Sequence, residues 1–444
     1  MSPEIYEMKQ LLKKLLPPAA LTLYHRGLAL VAAIVYGFPS HKMIVIGVTG
    51  TNGKSTVVNL VAKILESAGH RVGLTSTVNF KIAEREWLND QKMTMLGRFK
   101  LQALLRQMVR AKCRYAIVET TSEGIKQYRH WGIAYDVAVF TNLTPEHIES
   151  HGSFEKYKQA KGKLFAALDH SAKADVPKVS IVNLDDPAAN YFLSFPAEKQ
   201  IGYTFQNASA PAGVRVVHGH GISDTPQGVD FTLDGQPVHL HLLGRFNAFN
   251  ALAALCVGFS QNIDPAIMIR TLGQITNVPG RMQLIDEGQP FTVIVDYAHE
   301  PAGLEQVYLA IKSFHPRKII GLLGSQGGGR DRRKRPLLGE LAGRYTDYTI
   351  VTNEDPYDDD PLEIIEEVVA GIKKYPDKLE GQHYFKILDR EEAIQKALAL
   401  AAPNDVVVLT GKGSEQNMVI HGGKKVPWND EAAVRVLLRA HWKK

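Results

Sequence analysis

The stretch Thr49-Gly50-Thr51-Asn52-Gly53-Lys54-Ser55-Thr56 follows the apolar run Met43–Val48. Small residues in such a loop let successive backbone N–H groups close around phosphate oxygens, and a helix that starts there adds the positive end of its dipole. The loop is read as the G-x-x-x-x-G-K-[ST] phosphate cradle, with Gly47 as its opening glycine. Gly50, Thr51, Asn52, Gly53 and Thr56 would line it, Lys54 would reach the β- and γ-phosphates, and Ser55 would place its hydroxyl on Mg²⁺. The competing reading is a structural glycine turn. A carboxylate, Glu119, ends a second apolar run and is a candidate Mg²⁺ ligand.

These residues need elements to hold them. Val57–Ala68 has helical spacing, so strand, loop and helix follow in the order a phosphate loop requires. Further apolar runs at Tyr115–Val118, Val137–Phe140 and Val179–Val182 read as buried parallel strands, with helical patterns between several of them. Residues 201–243 read as a small β-rich excursion, and helical signal returns at Asn247–Gly258. A second series has strands at Phe291–Val295, Lys318–Leu323, Tyr348–Val351 and Asp405–Leu409, with helices such as Pro361–Lys374 and Glu391–Leu400. The fold class expected is α/β: a P-loop central domain with a mostly parallel sheet, plus a Rossmann-like C-terminal α/β domain. The expected boundaries are a helical lead-in over 1–41, a central ATP-binding domain over 42–279 and a C-terminal domain over 280–444.

Composition narrows the class. Of 444 residues, 45% are hydrophobic and 22% charged, which argues against wholesale disorder and a multi-span membrane protein. Two cysteines cannot make a disulfide framework or a four-cysteine zinc site, and they fit a reducing cytoplasm. The net charge of +6 has no nucleic-acid-binding stripe; its one dense basic run is Arg330–Arg335. Gly27–Phe38 is apolar but shorter than the ~20 residues of a spanning helix. It is expected to be a buried helix, with peripheral membrane contact as the alternative.

Ordered motifs then resemble the Mur ligase family, ATP-dependent amide-forming enzymes of peptidoglycan precursor synthesis, and within it the MurE branch. The motifs are Thr-Gly-Thr-Asn-Gly-Lys-Ser-Thr at 49–56, Glu119-Thr-Thr-Ser122, Asn142-Leu-Thr-Pro-Glu-His147 through Gly152, and Tyr157-Lys-Gln-Ala-Lys161. Phe246-Asn247-x-x-Asn250, Gly280-Arg281-Met282, Asp296-Tyr-Ala-His299-x-Pro301, Lys334-Arg335-Pro336 and Gly411-Lys-Gly-x-Glu415 continue the series. The resemblance spans about residues 43–441 and implies an acid–amino-acid ligase, ADP-forming, working through an acyl phosphate.

It also implies roles. Glu119 and His147 would each hold a Mg²⁺, two ions in all, and Lys161 would carry a CO₂-derived carbamate that turns a cation into an anion beside them. Catalytic work would fall on Lys54, Glu119, His147 and Lys161. Asn247 and Asn250 would approach the nucleotide, Arg281 would reach ATP on domain closure, Asp296 and His299 would contact ribose or phosphate, and Lys334 and Arg335 would neutralise phosphate charge. Thr94, Ser122 and Arg129 would meet the acceptor's sugar-peptide part. The expected partners are small molecules, a muropeptide acceptor and an amino acid, for a cytoplasmic monomer that binds no nucleic acid and has no transmembrane segment.

Two departures stand out. Only 46 residues precede Gly47, too few for the family's UDP-binding domain, so the acceptor is UDP-linked, lipid-linked or a shorter muropeptide. Where diaminopimelate-adding members carry Asp-Asn-Pro-Arg, this chain reads Glu354-Asp355-Pro356-Tyr357, and five carboxylates fall within 354–360. Loss of that arginine favours L-lysine or another basic amino acid, held by Glu354, Asp355, Tyr357, Gly411 and Glu415. Folylpolyglutamate-type and cyanophycin-type ligases remain alternatives within the fold, and a non-ligating P-loop protein is the alternative outside it.

Overall fold

The computed structural model describes residues 18–145, 151–169, 173 and 175–441. The chain divides into two compact units, Met1–Gly219 with Phe249–Thr271, and His220–Ala248 with Leu272–Lys444.

The first unit is built on β1 (Ile44–Thr49), β2 (Val72–Thr75), β3 (Asn79–Ile82), β4 (Arg85–Leu88), β5 (Tyr115–Glu119), β6 (Val137–Phe140), β7 (Val179–Asn183), β8 (Lys199–Thr204) and β9 (Val214–Thr225). Their order is β9-β8-β7-β6-β1-β5-β2-β3-β4. From β9 to β2 every pairing is parallel; β3 and β4 add an antiparallel edge. The central strands are apolar along their whole length because both faces are covered. Parallel pairing also aligns strand ends: Val48 lies opposite Glu119, and Thr49 opposite Phe140. Loops leaving these strands therefore emerge side by side, where ligands bind in open α/β sheets. The core beneath is aromatic, with Phe140 stacked on Phe192 at 3.9 Å and Phe165 against the same ring.

The second unit holds the hairpin β10 (Gly228–Leu233) and β11 (Gln236–Leu240), and a six-stranded sheet. That sheet contains β12 (Gln283–Ile285), β13 (Thr292–Val295), β14 (Ile319–Leu323), β15 (Tyr348–Val351), β16 (Tyr384–Lys386) and β17 (Val406–Leu409), in the order β12-β13-β17-β14-β15-β16. Only β12 is antiparallel. A small hairpin, β18 (Asn417–Ile420) with β19 (Lys424–Pro427), follows. The α/β class and the mostly parallel sheets are those the sequence predicts.

The apolar lead-in differs from expectation. Pro18–Val35 is a helix, but it turns Ala29, Ala32 and Ala33 inward and leaves Leu30, Val31, Ile34 and Val35 exposed. An apolar stretch need not be a buried one: the helix lies against the helix Arg98–Arg110, Ala29 and Ala33 lie close to Gly132, and its large residues face outward.

In the second unit the helices Lys334–Tyr345 and Pro361–Ile372 cross at two glycines. A Cβ on Gly339 would lie 1.8 Å from the Val368 carbonyl oxygen, and one on Gly371 1.9 Å from that of Pro336. Both contacts are with backbone, so the helices would have to separate. Gly339→Ala should destabilise this unit by about 1–3 kcal/mol. A urea midpoint unchanged from wild type would contradict the crossing.

Candidate active site

The loop after β1 closes through glycines that admit backbone where a side chain would collide. Gly50 has φ 150°, and a Cβ there would sit 1.9 Å from the Thr141 hydroxyl. Gly53 has φ 83° and heads the helix Lys54–Ser67; its Cβ would fall 2.2 Å from the Asn250 side-chain oxygen. Gly47 has another part to play than the one its spacing suggested. Five residues, Val48–Asn52, separate it from Gly53, one more than the pattern holds. A Cβ on it would strike Leu164 and Tyr135 at 2.7–2.8 Å, so it is a packing glycine within the core.

The loop's backbone is tied to the end of β6. Asn52 N donates to Asn142 Oδ1 at 2.9 Å, and the Asn52 carbonyl accepts from Thr141 Oγ1 at 2.7 Å and Asn142 Nδ2 at 3.1 Å. Thr51 Oγ1 lies 3.1 Å from the Tyr157 hydroxyl and 3.3 Å from the Thr144 carbonyl. Lys54 folds back to donate to the Thr51 carbonyl at 2.6 Å. Thr56 is buried in the first turn of the helix.

Glu119 is a buried carboxylate at the end of β5. Ser55 Oγ and Thr77 N donate to its Oε2, each at 2.8 Å, and Thr77 Oγ1 to its Oε1 at 2.9 Å. Thr94 Oγ1 lies 2.8 Å from Thr77 Oγ1, so Thr94 joins this chain of hydroxyls. Thr77 is the residue sequence reasoning missed; it stands in a short Ser-Thr-Val turn with no motif to mark it. Ser55 and Glu119 present a hydroxyl and a carboxylate side by side, the hard oxygen donors that suit Mg²⁺.

Lys161 is buried on the helix Phe154–Asp169. Its Nζ donates to the Gly50 carbonyl at 2.6 Å and lies 4.3 Å above the Tyr157 ring. The unmodified ammonium thus already reaches the loop from below. His151 packs edge-on to Tyr157, and its Nε2 lies 3.9 Å from Glu123. Ser122 begins the short helix capped by Thr121. Arg129 donates to the Met95 carbonyl and, at 2.7 Å, to Gln127. His147 lies outside the described residues.

In the second unit, Asn247 donates to the Leu243 carbonyl at 2.8 Å. Asp296 accepts from Met282 N at 2.7 Å and Ala298 N at 2.6 Å, and burial raises its carboxyl above the usual range. Arg281 lies over the Tyr297 ring at 4.4 Å, and His299 Nδ1 is 2.9 Å from the Tyr297 carbonyl. Lys334 donates to Glu300 at 2.6 Å and to the His299 carbonyl at 3.1 Å. Arg335 is buried among Glu367, Asp359 and the Gln326 carbonyl, at 2.7, 3.1 and 3.0 Å. Its charge is thus already matched by two carboxylates.

The acidic segment is ordered unevenly. Asp355 Oδ1 accepts from Lys412 Nζ at 3.0 Å and Val419 N at 2.7 Å, and Lys412 also meets Glu415 at 2.6 Å. Tyr357 receives Arg330 through its hydroxyl at 3.2 Å, with the guanidinium over its ring. Glu354 is different. It is 1% exposed, and neither carboxylate oxygen has a hydrogen-bond partner among the described residues. Desolvation pushes its carboxyl up to about 7, against the pull of the Arg390, Lys334 and Lys412 cations. The carboxylate packs directly on Gly411, at φ 99°: a Cβ there would lie 2.1 Å from Glu354 Oε2.

Comparison with known proteins identifies the lineage. Residues 48–258 match the Mur ligase middle domain, and residues 280–413 the Mur ligase glutamate ligase domain. The UDP-N-acetylmuramyl-tripeptide synthetase of Roseiflexus sp. (strain RS-1) is 40% identical over 419 residues, covering 92% of this chain and 81% of the relative. The UDP-N-acetylmuramoyl-L-alanyl-D-glutamate--2,6-diaminopimelate ligase of Geobacillus thermodenitrificans (strain NG80-2) is 36% identical, covering 93% and 82%. A solved structure of a ligase of that same name superposes with a TM-score of 0.60 at 30% identity, covering 90% of this chain and 79% of its own. Mycobacterium tuberculosis folylpolyglutamate synthase complexed with ADP shares the fold at TM-score 0.66 and 18% identity, covering 91% and 95%. No helix among the described residues is long and apolar enough to cross a membrane. The chain belongs to the Mur ligase family and is an ATP-dependent, ADP-forming ligase of peptidoglycan precursor synthesis.

Proposed function

We propose that this ligase adds L-lysine, or another amino acid with a distal ammonium, to a muramoyl-dipeptide acceptor in the cytoplasm. The observation that carries the amino-acid preference is Glu354, a buried carboxylate without a hydrogen-bond donor among the described residues. A diaminopimelate side chain would bring a second carboxylate toward Glu354, Asp355 and Glu415, and like charges in a poorly solvated site repel strongly. A distal ammonium instead supplies the donors Glu354 lacks. Asp355 and Glu415 are committed to Lys412, which leaves Glu354 as the acid for an incoming cation.

The chemistry follows from the first unit. The loop over Gly50–Thr56 holds the ATP phosphates, and Lys54 leaves the Thr51 carbonyl to follow the γ-phosphate. Ser55 and Glu119 would hold Mg²⁺, which when bound supplies charge neutralisation for phosphoryl transfer, and Thr77 holds the Glu119 carboxylate in place. The acceptor carboxylate attacks the γ-phosphorus, ADP leaves, and the amino acid's neutral α-amine displaces phosphate from the resulting acyl phosphate. His147 would hold a second Mg²⁺. A carbamate on Lys161, formed when the amine adds to CO₂ with loss of two protons from the starting ammonium, would replace that buried cation with an anion beside the metal site. Thr94, Ser122 and Arg129 lie beside Glu119 or on the turn after it and are the proposed acceptor contacts.

Phosphate release with UDP-MurNAc-L-Ala-D-Glu and with its UDP-free form, across an amino-acid panel, tests this. Lysine should be favoured, and a strong preference for diaminopimelate would sink the reading. Glu354→Gln should raise the lysine KM roughly 10–100-fold, the worth of one charge-assisted hydrogen bond. The lysine KM of the wild type should fall as pH rises through about 7, since only the ionised Glu354 carboxylate receives the ammonium. Intact mass should show the added CO₂ on Lys161, and short carboxylic acids should restore activity to Lys161→Ala.

Glu354 also sets a pH dependence of stability in the absence of ligand. Its carboxyl titrates higher in the folded chain than in the unfolded one, where it has the ordinary value of 4.5. The folded chain therefore holds the extra proton between those values, and stability is lost as pH rises from 4.5 through about 7. Glu354→Gln should melt ~5 °C above wild type at pH 8 and show a smaller gap at pH 5. Parallel melting curves for the two proteins across that range would show that Glu354 is not buried as an acid.

A further inference from the structure

We propose that the helix Pro18–Val35, with the basic helix Arg98–Arg110 beside it, is a face that docks on an anionic lipid bilayer. Its orientation reverses that of an ordinary surface helix. Leu23, Leu30, Val31, Ile34 and Val35 are 48–72% exposed, while Ala29, Ala32 and Ala33 are at most 1% exposed. The exposed positions recur at helical spacing and form one continuous stripe. Contiguous apolar surface of this kind marks an interaction site rather than scatter.

Charge says what the stripe meets. Residues 18–42 and 98–114 contain eight Lys and Arg and no Asp or Glu, in a chain that has 46 acids among 444 residues. Arg106 and Arg110 line the groove that also holds Ile34 and Val35. At the other end, Arg26 lies 4.8 Å over Tyr128 and 4.7 Å over Trp131, and Trp131 is 39% exposed. An apolar stripe bordered by arginines and an exposed tryptophan fits the two layers of a membrane surface, acyl chains below and phosphate headgroups above. Long cationic side chains can keep their charge at headgroup level while their stems lie over apolar surface. The helix would lie in the plane of the bilayer, not across it.

Flotation of the full chain with vesicles tests the proposal. It should float with mixed phosphatidylcholine–phosphatidylglycerol vesicles and not with phosphatidylcholine alone, and added salt should weaken the association. Leu30→Glu with Ile34→Glu, and separately Arg106→Glu with Arg110→Glu, should each reduce binding by about tenfold. Phosphate release without vesicles should be unchanged in both, since none of these residues touches the site described above. Trp131 fluorescence should shift to the blue on mixing with the anionic vesicles. Absence of binding to either vesicle, or equal binding by the variants, overturns the proposal. So does a dimer in sedimentation velocity that Ile34→Glu dissolves without any vesicle binding, which would make the occupant a second copy. Binding that emerges only after removal of residues 1–17 would assign the face to the chain's own N-terminus, and also overturns it.

Discussion

Glu119 is the fixed point of the first unit. Its carboxylate is taken out of water and held by the Ser55 hydroxyl and by the backbone and hydroxyl of Thr77. These donors come from the helix after β1 and the turn after β2, while the acid itself ends β5. A buried carboxylate left without donors costs several kcal/mol, so three chain segments must meet for the fold to tolerate it. Parallel pairing of β1 with β5 and of β2 with β5 is what brings them within reach. The same arrangement places a hydroxyl and a carboxylate side by side, so the contact that makes the buried acid tolerable is also one suited to a divalent cation.

The loop beside it obeys a steric rule rather than an electrostatic one. At Gly50 the backbone passes Thr141 so closely that even a methyl group has no room, and Gly53 meets Asn250 in the same way. Close packing lets the Asn52 carbonyl and amide exchange hydrogen bonds with the end of β6. The loop is therefore shaped before any phosphate arrives, and less ordering is left to do at binding. Lys54 and Lys161 both donate to carbonyls of this loop, from its two sides. Those two bonds define its resting state, in which each ammonium already has an acceptor.

The parts legible in the sequence are those with a strong period or a strong local rule. Apolar runs such as Val137–Phe140 become the strands they suggest because burial on both faces leaves no other solution. The glycine loop was legible as a loop but not in its opening glycine: Gly47 stands one residue too far from Gly53 for the pattern and packs the core, and Gly50 makes the close approach. Thr77 was illegible: its role depends on β2 ending next to β5, a long-range pairing that leaves no trace in its neighbours. The helix Pro18–Val35 misled for a related reason. Its composition is apolar on every face, so hydropathy says that it is buried without saying which side packs; the alanines take that side, with Ala29 and Ala33 close to Gly132. In the acidic segment, the sequence showed many carboxylates but not that Asp355 receives Lys412 while Glu354 has no hydrogen-bond donor among the described residues.

That last asymmetry is where stability and selectivity part. Lys412 donates to both Asp355 and Glu415, and Arg390 pairs with Asp430 through bonds at 2.8 and 2.7 Å. These carboxylates thus each have a cation in direct contact. Glu354 sits among them with its charge uncompensated by contact, and packed directly on Gly411. A glutamine or leucine at this position would serve the fold better, because it removes an acid that must be desolvated. A buried acid that weakens its own fold is the observation on which the proposed amino-acid preference rests. Under the proposed function, the group that would complete it is a cation with hydrogen-bond donors: the amine that acts as nucleophile must be neutral, so the cation that keeps its proton would be the distal one.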